Sequence, residues 1–471
     1  MSGTVPAAAE TPAADPTPAA GPTSAAAPTP AVDVTPAADL TPAADLTSGA
    51  APTPAADPTP ADAPTSAAAP TPLPPDVDVV VVGAGQAGLS VAFHLRRVGF
   101  VPHAEAQRTG SGARGTFVVL DADAAPGGAW QHRAVGLTMA HVHGVHELPG
   151  SVLPGAGPDE LARDVISAYF AAYEAEHALH VRRPVQVREV RDVGGPDRLL
   201  AVETVESSAV AARAADAGAD DGPRRRVDPG PRARTWRTRA VVNATGTWNK
   251  PFWPAYPGRS TFRGRQLHSR DVHDVADLAG ERVIVVGGGT SAVQLLLALA
   301  DVAERTTWVT RREPRWIDDA ALTPELGREA VARVAERTAA GLPPESVVSV
   351  TGLPLTDAYR AGIASGVLVR RPMFARLVPR GARWEVGSVP DDVPVYVRAD
   401  TVVWATGFRS ALDHLAPLRL RGPGGGIVME GTQVAADPRL QLVGYGPSAS
   451  TIGANRAGRE AVRNLRRALG V

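Results

Sequence analysis

This 471-residue chain has no cysteine. It therefore has no disulfide, no thiolate zinc site and no dithiol redox centre. Lysine is almost missing as well: Lys250 is the only one among 48 basic residues. We attribute the 47 arginines to a GC-rich genome rather than to nucleic-acid binding, because the net charge is only −1. No apolar run reaches bilayer length. These absences predict a soluble, cytoplasmic protein that binds neither nucleic acid nor membrane.

The first 75 residues have little that a folded core needs. They hold 18 of the 44 prolines, repeat Thr-Pro-Ala-Ala-Asp four times, and carry seven acidic residues and no basic one. Proline at this density blocks helix and sheet, and the segment lacks the basic start and apolar core of a secretory signal. We predict a disordered tail over 1–75. A spacer, a docking tail for an unknown protein and an over-extended gene start all fit this segment.

The stretch 76–100 organises the rest of the chain. A run of valines reads as a buried parallel strand, and a Gly-x-Gly-x-x-Gly fingerprint and an amphipathic helix follow at once. Gly83 permits the tight turn, Gly85 lets the backbone approach a pyrophosphate, and Gly88 lets the helix pack on the strand. The sequence therefore predicts a site for the ADP half of a nucleotide. A weakly basic body of net charge +6 beyond the tail suits an anionic cofactor.

A second strand, 116–120, ends in Asp121. An acid at this position binds ribose hydroxyls in the usual plan, about 20 residues beyond the glycines. Asp121 lies 33 residues beyond Gly88, so we interpret 103–115 as an inserted loop. We keep Asp121 as the ribose ligand, with Asp123 as the fallback and a solvated strand end as the competing interpretation.

Pro126-Gly-Gly-Ala-Trp130 comes next. Adjacent glycines allow backbone to lie against a flat ring system, which Trp130 can cover. Histidines follow at 141, 143 and 146. No carboxylate or cysteine accompanies them in metal-ligand register, so we predict no metal site.

A second dinucleotide unit begins at the strand 281–286 and continues through Gly287 and Gly289 into a helix. Ala292 replaces the third glycine and still allows close packing. The next strand ends in Arg311 and Arg312 instead of an acid. Guanidinium groups bind a ribose 2′-phosphate that an acid would repel, which predicts NADPH over NADH. The competing interpretation is an exposed charge pair.

Two apolar strands end in Ala-Thr-Gly, at 244–246 and 405–407, where small residues permit close approach to a cofactor. The proline-rich run 249–258 reads as a stiff interdomain linker. His268 follows it, at a place where a histidine either orients a nicotinamide or makes a hinge hydrogen bond. A last helix, ending near Leu469, is predicted to aim its free N–H groups at a cofactor.

These motifs together resemble those of the flavin-dependent monooxygenases, the group of flavin-containing and Baeyer-Villiger enzymes. The resemblance rests on Gly-Gly-Ala-Trp, on the two Ala-Thr-Gly strands and on Phe-x-Gly-x-x-x-His through His268, although Val272 replaces the aromatic residue four places on. It covers about 76–310 and 400–471. It implies an α/β protein with two Rossmann-like domains: FAD on 76–258 and 400–471, and NADPH on an inserted domain, 259–399.

The resemblance also implies the site. Thr138 and His141 are candidates beside the flavin, where family members often carry an asparagine, and His268 is the third catalytic candidate. The predicted cofactor ligands are Gly83, Gly85, Gly88, Asp121, Gly127, Gly128, Trp130, Thr245, Gly246, Gly287, Gly289, Ser291, Arg311, Arg312, Thr406 and Gly407.

The leading hypothesis is an NADPH-dependent FAD monooxygenase that inserts one oxygen atom from O2 into a small organic substrate through a C4a-peroxyflavin. One alternative is a flavin oxidoreductase that passes electrons from NAD(P)H to an acceptor without oxygenation. Another is a nucleotide-binding redox or partner module whose tail does the docking.

Overall fold

The computed structural model describes residues 74–110, 114–142, 145–194, 198–206, 232–318, 324–345 and 352–471. The predicted tail lies almost wholly outside these ranges, as does His143. The strands, in chain order, are β1 Val77–Val82, β2 Phe100–Pro102, β3 Gly115–Leu120, β4 Val185–Gly194, β5 Leu199–Glu206, β6 Arg232–Asn243, β7 Arg265–His268, β8 Arg282–Val286, β9 Arg305–Thr310, β10 Trp316–Ile317, β11 Leu353–Pro354, β12 Arg370–Pro372, β13 Arg376–Val378, β14 Gly381–Arg383, β15 Tyr396–Arg398, β16 Thr401–Trp404, β17 Met429–Glu430, β18 Gln433–Val434 and β19 Asp437–Leu442. The helices are α1 Gln86–Arg97, α2 His103–Thr109, α3 Ala162–Glu176, α4 Thr290–Leu299, α5 Pro324–Ala339, α6 Asp357–Ala364 and α7 Thr451–Leu469.

The first sheet is built around β1. Its order is β17-β18-β19-β6-β1-β3-β2, and β1 pairs in parallel with both β3 and β6. Val79, Val80 and Val81 are fully buried, because a central parallel strand is covered on both faces. Helices α1, α3 and α7 share one of its cores. The valine run and the helix predicted after it are confirmed.

The second sheet repeats the plan with the order β12-β9-β8-β16-β7, in which every pair is parallel. Helices α4 and α6 contribute to the core on one side, and β13, β14 and β15 form a small antiparallel sheet whose residues join the core on the other. Two such sheets confirm the α/β class with a doubled dinucleotide-binding architecture.

The structure differs from the sequence interpretation at two places. The interruption after α1 is more than a loop: β2 pairs with β3, and His103–Thr109 forms α2 because its alanine, glutamate and glutamine favour helix. The strand β16 pairs with β7 and β8 in the second sheet, so the chain returns to the first sheet only after Trp404, beyond the predicted limit at 399.

Among the described residues, none of the helices has the length and apolar character that crossing a lipid bilayer requires.

Candidate active site

The first glycine fingerprint is packed as its spacing requires. A Cβ on Gly83 would lie 2.6 Å from the carbonyl oxygen of Ala244, and a Cβ on Gly88 would lie 1.8 Å from the carbonyl oxygen of Gly83. Gly85, in contrast, has no heavy atom within 4 Å of its Cβ position and lines a cleft. Two glycines are therefore needed for internal packing, and Gly85 leaves open space toward which a ligand can approach.

The helices α1 and α4, which each follow a glycine-rich turn, begin in the same way. Gly85 precedes α1 and Gly289 precedes α4, and within the described chain neither start has a side-chain cap or an acidic residue in its first turn. The first N–H groups of a helix need a partner, and a capping side chain usually supplies one. Both starts therefore leave N–H donors and positive dipole ends for phosphate oxygens. The residues at these two helix starts therefore fit the phosphates of two dinucleotides.

The Gly-Gly-Ala-Trp segment folds against the glycine loop. Gly127 and Gly128 have φ of +124° and +52°, and Cβ atoms on them would lie 2.3 Å from Ser167 Oγ and 2.9 Å from Gly85 Cα. A side chain at Gly127 would push this segment away from α3, and one at Gly128 would push it away from the glycine loop. The predicted close approach of this backbone is thus an approach to Gly85 as well as to the cleft, which both glycines and Trp130 line.

Asp121 stands at the end of β3, as predicted, but it has a partner that the sequence did not suggest. Arg183 Nε donates to Asp121 Oδ2 at 2.9 Å, and the same guanidinium makes two bonds of 2.6 Å to Glu174. Burial raises the pKa of Asp121, while Arg183 acts to lower it. The carboxyl group still lines the cleft, held in place by the arginine.

The fallback acid, Asp123, also lines the cleft. It accepts hydrogen bonds from Gln131 Nε2 at 3.1 Å and meets His132 Nε2 at 3.0 Å. Both candidate ribose acids are therefore anchored by their own chain at this edge of the sheet, and their role toward a ribose stays a prediction.

The cleft has a volume of about 430 Å³ and runs from the glycine loop to the start of α7. An aromatic wall closes one part of it: Trp248 stacks on Phe408 with ring centroids 5.4 Å apart. At α7 the Ser450 hydroxyl accepts from the Gly453 N–H, so one of the donors that we predicted to face a cofactor is already used.

Arg133 is a cleft residue that the sequence interpretation did not single out. Its Cζ lies 5.4 Å from the ring centroid of Trp130 and 4.8 Å from that of Trp248. Its Nε is buried without a hydrogen-bond partner, and no carboxylate pairs with it among the described residues. Burial alone lowers its pKa. The signal in the sequence was an arginine three residues after the tryptophan of Gly-Gly-Ala-Trp.

The threonines of the two Ala-Thr-Gly strand ends contact distant parts of the chain. Thr245 Oγ1 lies 2.7 Å from the carbonyl oxygen of Ala411, and Thr406 Oγ1 donates to the carbonyl oxygen of Phe252 at 2.6 Å. Thr245 and Gly246 line the cleft, whereas Thr406 and Gly407 do not. The second threonine therefore fixes the linker that joins the two sheets.

The second unit matches the first at its turn. A Cβ on Gly287 would lie 2.2 Å from the carbonyl oxygen of Ala405, and the Cβ position of Gly289 is open. Ser291 is exposed in the first turn of α4, and Arg311 and Arg312 are exposed just beyond β9. The predicted NADPH residues are thus accessible at the carboxyl end of this sheet.

His268 is fully buried at the end of β7. Its Nε2 lies 3.0 Å from the carbonyl oxygen of Gly407, and its Nδ1 accepts from the Arg270 N–H at 3.2 Å. Nε2 therefore carries the proton. Burial lowers the pKa of His268. Because both ring nitrogens are used by backbone groups, the geometry favours the hinge interpretation over an orienting role.

Thr138 and His141 lie together, with Oγ1 and Nδ1 3.0 Å apart, but outside the wall of the cleft. Their catalytic role stays a prediction. Within the ranges that the structure describes, no group of three or more histidine or acidic side chains is arranged to hold a metal ion.

The fold and the paired glycine turns define a two-dinucleotide oxidoreductase, and comparisons with known proteins agree. The pyridine nucleotide-disulphide oxidoreductase family matches residues 231–340. A flavin-containing monooxygenase from Stenotrophomonas maltophilia is 34% identical, with 83% of this chain and 98% of that chain covered and a TM-score of 0.61. Indole-3-pyruvate monooxygenase YUCCA4 of Oryza sativa subsp. japonica is 30% identical over 49% of this chain and 47% of its own length. A Baeyer-Villiger monooxygenase of Streptomyces coelicolor is 28% identical over 51% of this chain and 39% of its own.

The chain belongs to the flavin-dependent monooxygenase family. It spans about half the length, or less, of the rice and Streptomyces relatives.

Proposed function

We propose that this protein is an NADPH-dependent FAD monooxygenase that acts on a small organic substrate. One observation carries the proposal: two helices, α1 and α4, begin at glycines with open Cβ positions and without caps among the described residues. Two cradles for anionic nucleotides are what an enzyme needs to pass electrons from one dinucleotide to another.

FAD would lie in the cleft, with its pyrophosphate at Gly85 and its ribose near Asp121. Gly127, Gly128 and Trp130 would border it, and Thr245 and Gly246 would close the far side. NADPH would bind at Gly287 and Gly289, with Ser291 nearby and the 2′-phosphate on Arg311 and Arg312.

The flavin supplies the oxygen chemistry when it is bound: reduced by NADPH, it activates O2, one oxygen atom goes to the substrate and the other leaves as water. In the finer form of this proposal the reactive species is a C4a-peroxyflavin. The chain's own task is to position the reactants and exclude water. Trp248 and Phe408 form a ring stack suited to covering that site.

Stopped-flow absorbance of the NADPH-reduced holoprotein mixed with O2 tests this function. We expect a transient C4a-adduct before the oxidised flavin returns. Direct reoxidation of the flavin by O2, with release of one equivalent of hydrogen peroxide, would instead support the oxidoreductase without oxygenation. Protein that stays colourless after incubation with FAD would overturn both.

A further inference from the structure

Among the described residues, Arg133 is the one arginine or lysine that lines the cleft. The two acids of the same wall do not neutralise it. Asp121 is bound by Arg183, and Asp123 is bound by Gln131 and His132. Burial lowers the pKa of Arg133, and no carboxylate acts against that effect. Arg133 is thus a partly buried cation without a neutralising carboxylate among the described residues. Its burial costs free energy unless a ligand supplies the opposite charge.

The surroundings of Arg133 indicate the shape of that ligand. The guanidinium lies within cation–π distance of two indoles, Trp130 and Trp248, and its Nε is a donor without a partner among the described residues. Trp248 continues into the stack with Phe408, and Arg270 Cζ lies 5.5 Å from the Trp248 ring centroid. A ligand that fits would have a planar oxyanion to bind the guanidinium and an apolar or aromatic body to pack on the aromatic rings.

This inference rests on the proposed function. We propose that Arg133 is the anion-recognition residue of the cleft and that the substrate is a small organic acid. Arg133 binds the carboxylate of that acid. The phosphates of a dinucleotide are the other source of an oxyanion. They already have donors at the uncapped starts of α1 and α4. The carboxylate of the substrate is therefore the anion that still lacks a partner.

Calorimetric titration of the oxidised holoprotein tests the proposal without turnover, so its outcome is independent of whether a C4a-adduct forms. The probes are benzoate and phenylacetate, with benzamide as the uncharged counterpart and inorganic phosphate as the other oxyanion. We expect saturable binding of the carboxylates and much weaker binding of benzamide. Arg133→Gln should weaken carboxylate binding roughly 10- to 100-fold, the range for a charged hydrogen bond, and leave the FAD content unchanged.

Arg234→Gln is the matched control. Arg234 also stacks on an indole, 3.5 Å from the Trp236 ring centroid, and burial is also the largest cause lowering its pKa. It lies outside the cleft wall and should not change carboxylate binding. Arg133→Lys keeps the charge without the fork, should bind the carboxylates with intermediate affinity, and serves if the glutamine variant does not fold.

Three results would overturn the proposal. The first is the absence of saturable carboxylate binding to the wild type, and the second is equal carboxylate affinity in Arg133→Gln. The third is loss of FAD or of phosphate binding in Arg133→Gln with carboxylate binding retained, which would assign the guanidinium to a nucleotide phosphate.

Discussion

At the scale of single residues, we predict that Arg311 and Arg312 determine the choice of nicotinamide cofactor. Both are exposed beyond β9. Replacing both with alanine should raise the Michaelis constant for NADPH roughly 10- to 100-fold, because each charged hydrogen bond to a phosphate contributes about 1.5–3 kcal/mol, and should change that for NADH little. Steady-state kinetics with each nucleotide measures the ratio. Arg315→Ala, an exposed arginine nearby, is the control, and equal effects on both nucleotides would contradict the assignment.

Residue types in a motif could be predicted from the sequence, but their partners could not. Asp121 was found as a strand-end acid, yet its partner Arg183 is 62 positions away and joins it only when β4 follows α3 back to the sheet. Arg133 could not be identified from the sequence for a similar reason. Its importance comes from an indole at Trp248, which a separate strand brings to the cleft.

At the scale of the elements, the two glycine turns are similar in sequence but differ at the third position. A Cβ on Gly88 would lie 1.8 Å from the carbonyl oxygen of Gly83, whereas Ala292 is fully buried and accommodated in the second unit. Gly88→Ala should therefore destabilise the protein by about 3 kcal/mol or more and lower FAD retention, as backbone overpacking does. Ala292→Gly should cost about 1 kcal/mol, the usual helix penalty.

Denaturant unfolding of the holoprotein, together with the ratio of flavin to protein absorbance, measures both effects. The comparison is informative because each variant exchanges the same two residue types at equivalent places. A Gly88→Ala protein as stable as the wild type would mean that α1 can move away from β1 at little cost.

His268 connects β7 to the turn after β16 and so belongs to the joint between the two sheets. His268→Ala should lower the free energy of unfolding by about 2–4 kcal/mol, because it leaves a cavity and two unpaired backbone groups. The Michaelis constant for NADPH should change less than tenfold in protein that remains folded. An unchanged melting temperature with hydride transfer slowed a hundredfold would instead favour the orienting role.

The joint also shows how far sequence patterns reach. Small residues at both Ala-Thr-Gly ends are predicted to approach a cofactor; Thr245 and Gly246 line the cleft, and their contact with a cofactor stays a prediction. Thr406 has the same local sequence but bonds the linker at Phe252. Identical motifs therefore receive different partners, since Thr245 contacts Ala411 and Thr406 contacts Phe252.

At the scale of the whole molecule, the order of the elements could be read from the sequence because β1, α1, β8 and α4 have strong local signals. The short strands from β10 to β15 have two or three residues each. Their pairing depends on neighbours far along the chain, such as Arg370 of β12 beside Trp308 of β9. Runs this short carry too little periodicity to be separated from loops.

The stability of the whole protein should fall as the pH is lowered below neutrality, because buried histidines are kept neutral. Burial lowers the pKa of His94 and of His414 to about 4, and that of His268 is lowered too. The unfolded chain binds these protons near pH 6.5, so the stabilisation is complete above that value and is lost between about pH 6.5 and 4. Each of the first two should contribute on the order of 1–2 kcal/mol between pH 7.5 and 5.

Urea unfolding at pH 7.5, 6 and 5 measures this dependence, and His414→Gln identifies its source. His414 Nε2 donates to Asn243 Oδ1 at 2.8 Å, and glutamine keeps an amide donor but does not titrate. The variant should lose less stability than the wild type as the pH falls. The raised pKa of Asp121 acts in the opposite direction, so the difference between the two proteins, rather than the slope of either, is decisive. Equal slopes would show that His414 is already protonated in the folded protein or exposed to solvent.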